Sequence, residues 1–301
     1  MPGAPACARL DSVERVHRSG CVRTSTSAHH GDQTVAHRAF TLIELLVVIA
    51  IVALLLGILL PGLAGARQAA RTLKCLHAIK SLEQAHTMYY DANNGRFVDA
   101  GLAHGGVGDP RRSWPVALAD FMGAEVVLRS PGDTSPFWAT EEGGDFDGYT
   151  FKEYLSAYTA NPAAPPRDRP IARWTSYGLN NYVTRSKHPP REFMERDRYD
   201  DIARIPRPFA TVHFLLMTEG HDGSSFARSD HVHAEGWSDA GPDNAPGVAA
   251  REMELNAWGG PARNAGGTAN YGFLDGHAET LRFRNVYRTY LDNRFYPEVA
   301  R

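Results

Sequence analysis

Across residues 40–63 the only clearly polar side chains are Thr41 and Glu44, and residues 45–60 form an unbroken run of apolar residues and glycine. As a helix this stretch is long enough to cross a hydrocarbon layer of roughly 30 Å. A helix on the surface of a soluble core carries a polar stripe, and this one carries none. The pattern specifies a membrane helix, and the rest of the chain must be compatible with it. That rest is polar enough to bring the mean hydropathy to -0.35. With 32 basic and 34 acidic side chains, a basic nucleic-acid-binding stripe is excluded as the organising feature. Cys7, Cys21 and Cys75 are the only cysteines, which excludes a disulfide-dense scaffold.

Charge alone does not orient the helix. Arg38, Arg23 and Arg18 precede it, while Arg67, Arg71 and Lys74 follow closely. An ordinary secretory signal would use Ala64-Gly65-Ala66 as its cleavage site. Against that reading, the apolar run exceeds a normal h-region and an acidic residue stands near its start. A carboxylate in hydrocarbon costs about 2.5–3.5 kcal/mol on insertion scales, so Glu44 needs a positive partner.

The segment Arg38-Ala39-Phe40-Thr41-Leu42-Ile43-Glu44-Leu45-Leu46-Val47-Val48-Ile49-Ala50 resembles the processing and methylation site of type IV prepilins and type II secretion pseudopilins. The resemblance implies that a membrane prepilin peptidase cuts between Ala39 and Phe40 and methylates the new terminus. It also implies that Glu44, the fifth mature residue, pairs with the terminal amine of a neighbouring subunit, which supplies the missing cation. The residue before the cut is usually Gly and here is Ala39. Leaders of this class are short, whereas residues 1–39 are long and mixed in charge. Val35 as an alternative start would leave a compact basic leader, with residues 1–34 untranslated.

Beyond the membrane segment, Ala66, Ala69, Ala70, Leu73, Leu76, Ile79, Leu82, Ala85 and Tyr89 recur at intervals of three and four, with Arg67, Arg71, Lys74 and Glu83 on other faces. One helix of about 50 residues follows, on the order of 75 Å long, kinked at Pro61 and capped by Asn93-Asn94-Gly95. Its amphipathic half, residues 64–94, needs a partner surface. Strand-like pieces at residues 176–183, 211–218 and 270–283 supply one, the last carrying Asp275-Gly276 as a two-residue hairpin turn. Proline-rich stretches at 161–170, Pro189-Pro190 and Pro206/Pro208 read as loops. Residues 221–262, rich in Gly, Asp and His, read as a long surface excursion.

A second resemblance rests on Cys75-Leu76, Asn93-Asn94-Gly95-Arg96-Phe97, Ser130-Pro131-Gly132-Asp133, Ser176-Tyr177 and the run Gly266-Gly267-Thr268-Ala269-Asn270-Tyr271-Gly272-Phe273-Leu274-Asp275-Gly276-His277. Together these are similar to a large pseudopilin-like family with a C-terminal His-(nine residues)-Asp-Gly signature. Ala265, beside Asn264, stands where the signature His would be, and Ser130 stands where relatives often have Cys. Cys75 is then the sole thiol of the processed chain, free or intermolecular.

The remaining constellations are weaker. Asp230-His231-Val232-His233-Ala234-Glu235, if extended, puts His231, His233 and Glu235 on one face. That is a metal-ligand pattern without a visible further ligand at fixed spacing, and a polar loop explains it more simply. Asp145-Phe146-Asp147-Gly148 resembles part of a calcium loop but lacks the distal Glu. Because related pseudopilins often bind calcium in a C-terminal loop, the resemblance makes Asp239, Asp243 and Asn244 an oxygen-rich candidate; no other cofactor is implied. Asp275, His277 and Glu279 alternate and could share a face, but a catalytic use would need a deep pocket and a tuned partner, and Asp275-Gly276 is explained by turn chemistry. Trp114, Trp138, Trp174, Trp237 and Trp258 serve core packing more often than sugar stacking. No nucleophile elbow, P-loop, dinucleotide fingerprint or CxxC is present, so no enzyme is expected.

The expected fold is α+β and pilin-like: a leader at 1–39, a membrane helix at 40–63, its amphipathic continuation at 64–94, and a β-rich periplasmic domain at 95–301, with the long helix on an antiparallel sheet with long loops. The expected protein is a structural pseudopilin-like subunit in the inner membrane, its short N-terminus cytoplasmic. Its partners would be prepilin peptidase, other pseudopilin subunits and the membrane, with no nucleic acid. The alternative is a membrane-tethered envelope module that binds polysaccharide or metal without polymerising.

Overall fold

A computed structural model of the chain describes residues 40–104, 108–123, 128–184 and 199–301. The leader, including Ala39, Cys7 and Cys21, and the Pro189-Pro190 loop lie outside the described residues. The chain divides into two units between Leu55 and Leu56. The boundary falls inside one element, helix α1 (Leu42–Ala92, 51 residues), which continues through Pro61.

The start of α1 is capped by its own side chains. The Glu44 N–H donates to Thr41 Oγ1 (3.2 Å), and Glu44 Oε2 accepts the Thr41 N–H and hydroxyl at 2.8 Å each. This is a capping box, in which one Thr and one Glu satisfy backbone donors that a helix start leaves orphaned. From Phe40 to Leu60 the large apolar side chains of this helix are exposed. At the other end the expected cap is present: Asn94 and Gly95 take φ of 55° and 78°, and the Gly95 N–H closes on the Tyr90 carbonyl at 2.8 Å.

In the C-terminal unit a five-stranded sheet has the order β3-β1-β2-β4-β5. Its strands are β1 (Tyr177–Asn180), β2 (Val212–Leu216), β3 (His231–Val232), β4 (Thr268–Phe273) and β5 (Ala278–Arg282). All neighbours are antiparallel except β1 and β3, so the sheet is mixed rather than purely antiparallel. The parallel edge arises because the chain returns to β1 through residues 217–230 instead of a tight hairpin. A small ribbon of β6 (Tyr287–Thr289) and β7 (Asp292–Asn293) follows.

Strand alternation then builds two cores. On one face Phe214 and Leu216 pack with Tyr177, Leu179, Trp114 and the α1 side chains Cys75, Ile79, Leu82 and Ala85. Burying Ile79 and Leu82 stabilises this face by about 1.5–3 kcal/mol each. On the other, Leu215 and Met217 join Tyr271, Phe273, Trp237, Phe283 and Phe295. The buried stripe of α1 is rotated from the expected one: Leu73 is exposed, Leu76 half-buried, and Glu83 buried. Residues 221–262 are also not a surface excursion, because Val232, Trp237, Ala245, Ala249, Met253 and Leu255 are core residues. Their apolar side chains are spaced too irregularly for a periodic signal.

The Asp275-Gly276 turn closes the β4–β5 hairpin as a three-residue loop rather than a two-residue one. Phe273 N–H bonds to the His277 carbonyl at 3.0 Å, Gly276 N–H bonds back to Phe273 at 2.9 Å, and Gly276 sits at φ 93°. That is a type I turn followed by a left-handed residue. The first loop residue, Leu274, is buried in the core.

Candidate functional site

Three groups of side chains carry chemistry in the C-terminal unit. The first lies between α1 and the sheet. Glu83 Oε1 accepts the Phe214 N–H at 3.0 Å, at a register irregularity in the β2–β4 ladder, and Oε2 lies 2.9 Å from His213 Nδ1. His86, one helical turn on, faces the His213 ring at 4.2 Å between centroids. Burial pushes Glu83 well above the carboxylate range, against the pull of the Phe214 N–H. Burial also pushes His213 down to about 3 and His86 well below its ordinary value. Burial therefore disfavours the charged form of both partners. A Cβ on Gly272 of β4 would stand 2.4 Å from Glu83 Oε1 and 2.7 Å from the Ile79 side chain, so the glycine makes room for the clasp.

The second group joins motifs far apart in sequence. Asp133 and Arg173, with side chains 2% and 1% exposed, pair at 2.8 Å. Asp133 also accepts the Ser135 N–H, the Trp138 indole N–H and the Ser176 hydroxyl, and the Ser130 N–H donates to Ser176 Oγ. Burial alone would raise the Asp133 carboxyl, but the Arg173 guanidinium and these donors hold it below its usual value. Ser130-Pro131-Gly132-Asp133 and Ser176-Tyr177 are thus two halves of one buried network. Cys75 is free and fully buried, in the same core as Tyr177. Its burial removes the intermolecular option in the folded chain. Beside the network is a cleft of about 300 Å³ lined by Glu219, His221, Glu254 and Trp258 among others. Burial pushes Glu254 up to about 7. Trp258 is half-buried, whereas Trp114, Trp138, Trp174 and Trp237 are buried.

The third group is on the β3 edge. His231 and His233 come together as their alternation suggested, with Nε2 atoms 3.0 Å apart. His104, from the loop after α1, brings its Nε2 to 3.1 Å from that of His233. Behind them, Asp230 Oδ1 meets His231 Nδ1 at 2.9 Å and Glu235 Oε1 meets His233 Nδ1 at 3.1 Å. The other Asp230 oxygen accepts the N–H groups of Gly101 and Leu102, which fixes the loop bearing His104. Partial enclosure, with His233 and His231 beside it, pushes the His104 ring down to about 4. At His233 burial opposes a proton, but the Glu235 carboxylate outweighs it and the ring is raised. Glu252, pushed up to about 7 by burial, accepts the His233 N–H and the Trp237 indole N–H. Sequence reasoning missed His104 because a histidine in a glycine-rich loop 127 residues before His231 carries no spacing signal.

The other sequence candidates lie elsewhere. Asp239, Asp243 and Asn244 are exposed, and neither aspartate belongs to a group of three converging ligand-type side chains among the described residues. Asn244 turns its amide to the Ala240 carbonyl. Asp145 and Asp147 are exposed. Phe40 and Glu44 lie in the N-terminal unit, at the capped start of α1; Ala39 falls outside the described residues.

Residues 36–60 match the family described as "Prokaryotic N-terminal methylation motif". The chain carries a prepilin-type processing motif. The match spans the Ala39–Phe40 bond, Glu44 and the exposed apolar run, and it supports a pilin- or pseudopilin-like precursor. No curated protein and no solved structure matches the chain. The motif, the one long apolar helix among the described residues and the α+β arrangement fit a single-pass, membrane-anchored protein.

Proposed function

We propose that this chain is a structural pseudopilin-like subunit of a type II secretion or type IV pilus-like envelope assembly. The observation that carries the reading is the methylation motif at residues 36–60, on a helix whose apolar side chains are left uncovered. Prepilin peptidase cuts before Phe40 and methylates the new amine. The apolar half of α1 then packs laterally among other subunits, and Glu44 pairs with a neighbour's N-terminus. The N-terminus ahead of the helix is cytoplasmic, the protein sits in the inner membrane, and the C-terminal unit is periplasmic.

The capping box supports an exchange at Glu44. In the single chain its carboxylate is engaged with the Thr41 N–H and hydroxyl, and one carboxylate has lone pairs enough to accept a charged donor as well. The role is structural and calls for no catalytic group. Co-isolation of two differently tagged copies from membranes that contain the peptidase tests the reading. Recovery of both tags together after cross-linking is expected. Recovery of single copies only would replace it with the tethered envelope module.

A further inference from the structure

The histidines on the β3 edge present an unusual proton balance. A neutral imidazole carries one N–H. Asp230 and Glu235 draw that proton to Nδ1 of His231 and of His233 respectively. Their Nε2 lone pairs then face each other at 3.0 Å. His104 brings a third ring nitrogen, its Nε2, to 3.1 Å from that of His233. A cation held by all three nitrogens would use their lone pairs together.

The geometry points to a site for one divalent transition-metal ion of the zinc class, bound by Nε2 of His104, His231 and His233. Zinc–imidazole bonds of about 2.0–2.1 Å in a tetrahedron set ligand nitrogens about 3.3–3.4 Å apart. The 3.0 and 3.1 Å separations need only a few tenths of an ångström of opening, and the three ligand atoms all lie within 4.8 Å of one another. Carboxylates behind metal-bound histidines fix the tautomer and raise ligand basicity, and Asp230 and Glu235 occupy those positions. Their two negative charges match the ion's two positive ones. Imidazole suits zinc, copper, nickel and iron rather than calcium, which takes oxygen ligands. The exposed His104 gives the ion a way in, and solvent completes its coordination.

The ion would act as a staple. It ties the loop after α1 to the β3 edge, two segments separated by 127 residues between His104 and His231. This inference stands apart from the assembly reading, because the ligands all belong to the C-terminal unit and need no second copy.

The test uses the full chain without a histidine tag, in detergent, stripped with a chelator and dialysed against zinc or cobalt alone. One zinc per chain, a higher thermal midpoint and the visible absorption of tetrahedral cobalt are expected. His104→Gln, an exposed change outside both cores, should weaken binding by at least about 100-fold, and Glu235→Gln by about 10–100-fold. His277→Gln, a histidine outside the cluster, should leave uptake unchanged. Failure of the wild-type chain to take up either metal saturably would overturn the proposal. So would full uptake by His104→Gln, which would move the ion to another site such as Glu83, His86 and His213.

Discussion

Replacing Asp133 with Ala should be among the most damaging single changes in the C-terminal unit. Its carboxylate meets Arg173 Nε at 2.9 Å and Nη2 at 2.8 Å, and it accepts three further donors from Ser135, Trp138 and Ser176. The variant leaves a guanidinium that is 1% exposed without its counter-charge. Removing one partner of a buried pair typically costs about 3–5 kcal/mol. With a urea m-value of about 2–3 kcal/mol/M, the midpoint should fall by roughly 1–2.5 M. Urea unfolding of the detergent-solubilised chain reads this through tryptophan fluorescence, and Trp138 is itself bonded to Asp133. The double variant Asp133→Leu/Arg173→Met should recover only part of the loss. Arg173 also donates to the carbonyls of Thr218, Ala227 and Met217, which the double variant leaves unpaired. The folded-state carboxyl lies below its ordinary value. The stability it contributes is therefore fully present above about pH 4 and is lost as pH falls through the lower folded value. The wild type should lose that increment in acid and Asp133→Ala should not. A cost below about 1 kcal/mol, or an unchanged acid limb, would refute the reasoning.

Gly272→Ala drives a methyl into Glu83 and Ile79 and should cost about 1–3 kcal/mol by overpacking, read as a lower urea midpoint. Ser130→Cys gives the processed chain a second buried thiol besides Cys75, so oxidation should yield an intrachain disulfide and take both thiols out of titration under denaturing conditions. Glu44→Gln keeps a residue that can complete the capping box with Thr41 but removes the charge. Cross-linking between subunits should fall while the unfolding curve of the C-terminal unit stays unchanged; wild-type cross-linking would exclude Glu44 as an assembly contact.

The elements that could be read from the chain are those with a local physical signature. An unbroken apolar run, a period of three and four, Asn-Asn-Gly at a helix end and Asp-Gly between strands each act over a few residues. What stayed hidden depends on contacts across long separations. Glu83 looks like a surface residue until Gly272 and Phe214 meet it from β4 and β2. His231 and His233 were visible as an alternating pair, but their partner His104 arrives through the Asp230 bonds to Gly101 and Leu102. Residues 221–262 look like a loop because Trp237, Ala249 and Met253 reach the core without periodic spacing. The Thr41-x-x-Glu44 capping box was legible in principle.

The mature N-terminus is the most direct measurement of whether this chain is a processed pilin-like subunit. It would be read by mass spectrometry on protein isolated from membranes of cells with an active prepilin peptidase. An N-methylated Phe40 is predicted, following cleavage of the Ala39–Phe40 bond. A terminus at Arg67, after Ala64-Gly65-Ala66, would make the apolar run an ordinary signal and contradict that assignment. So would a membrane form in which the Ala39–Phe40 bond is intact.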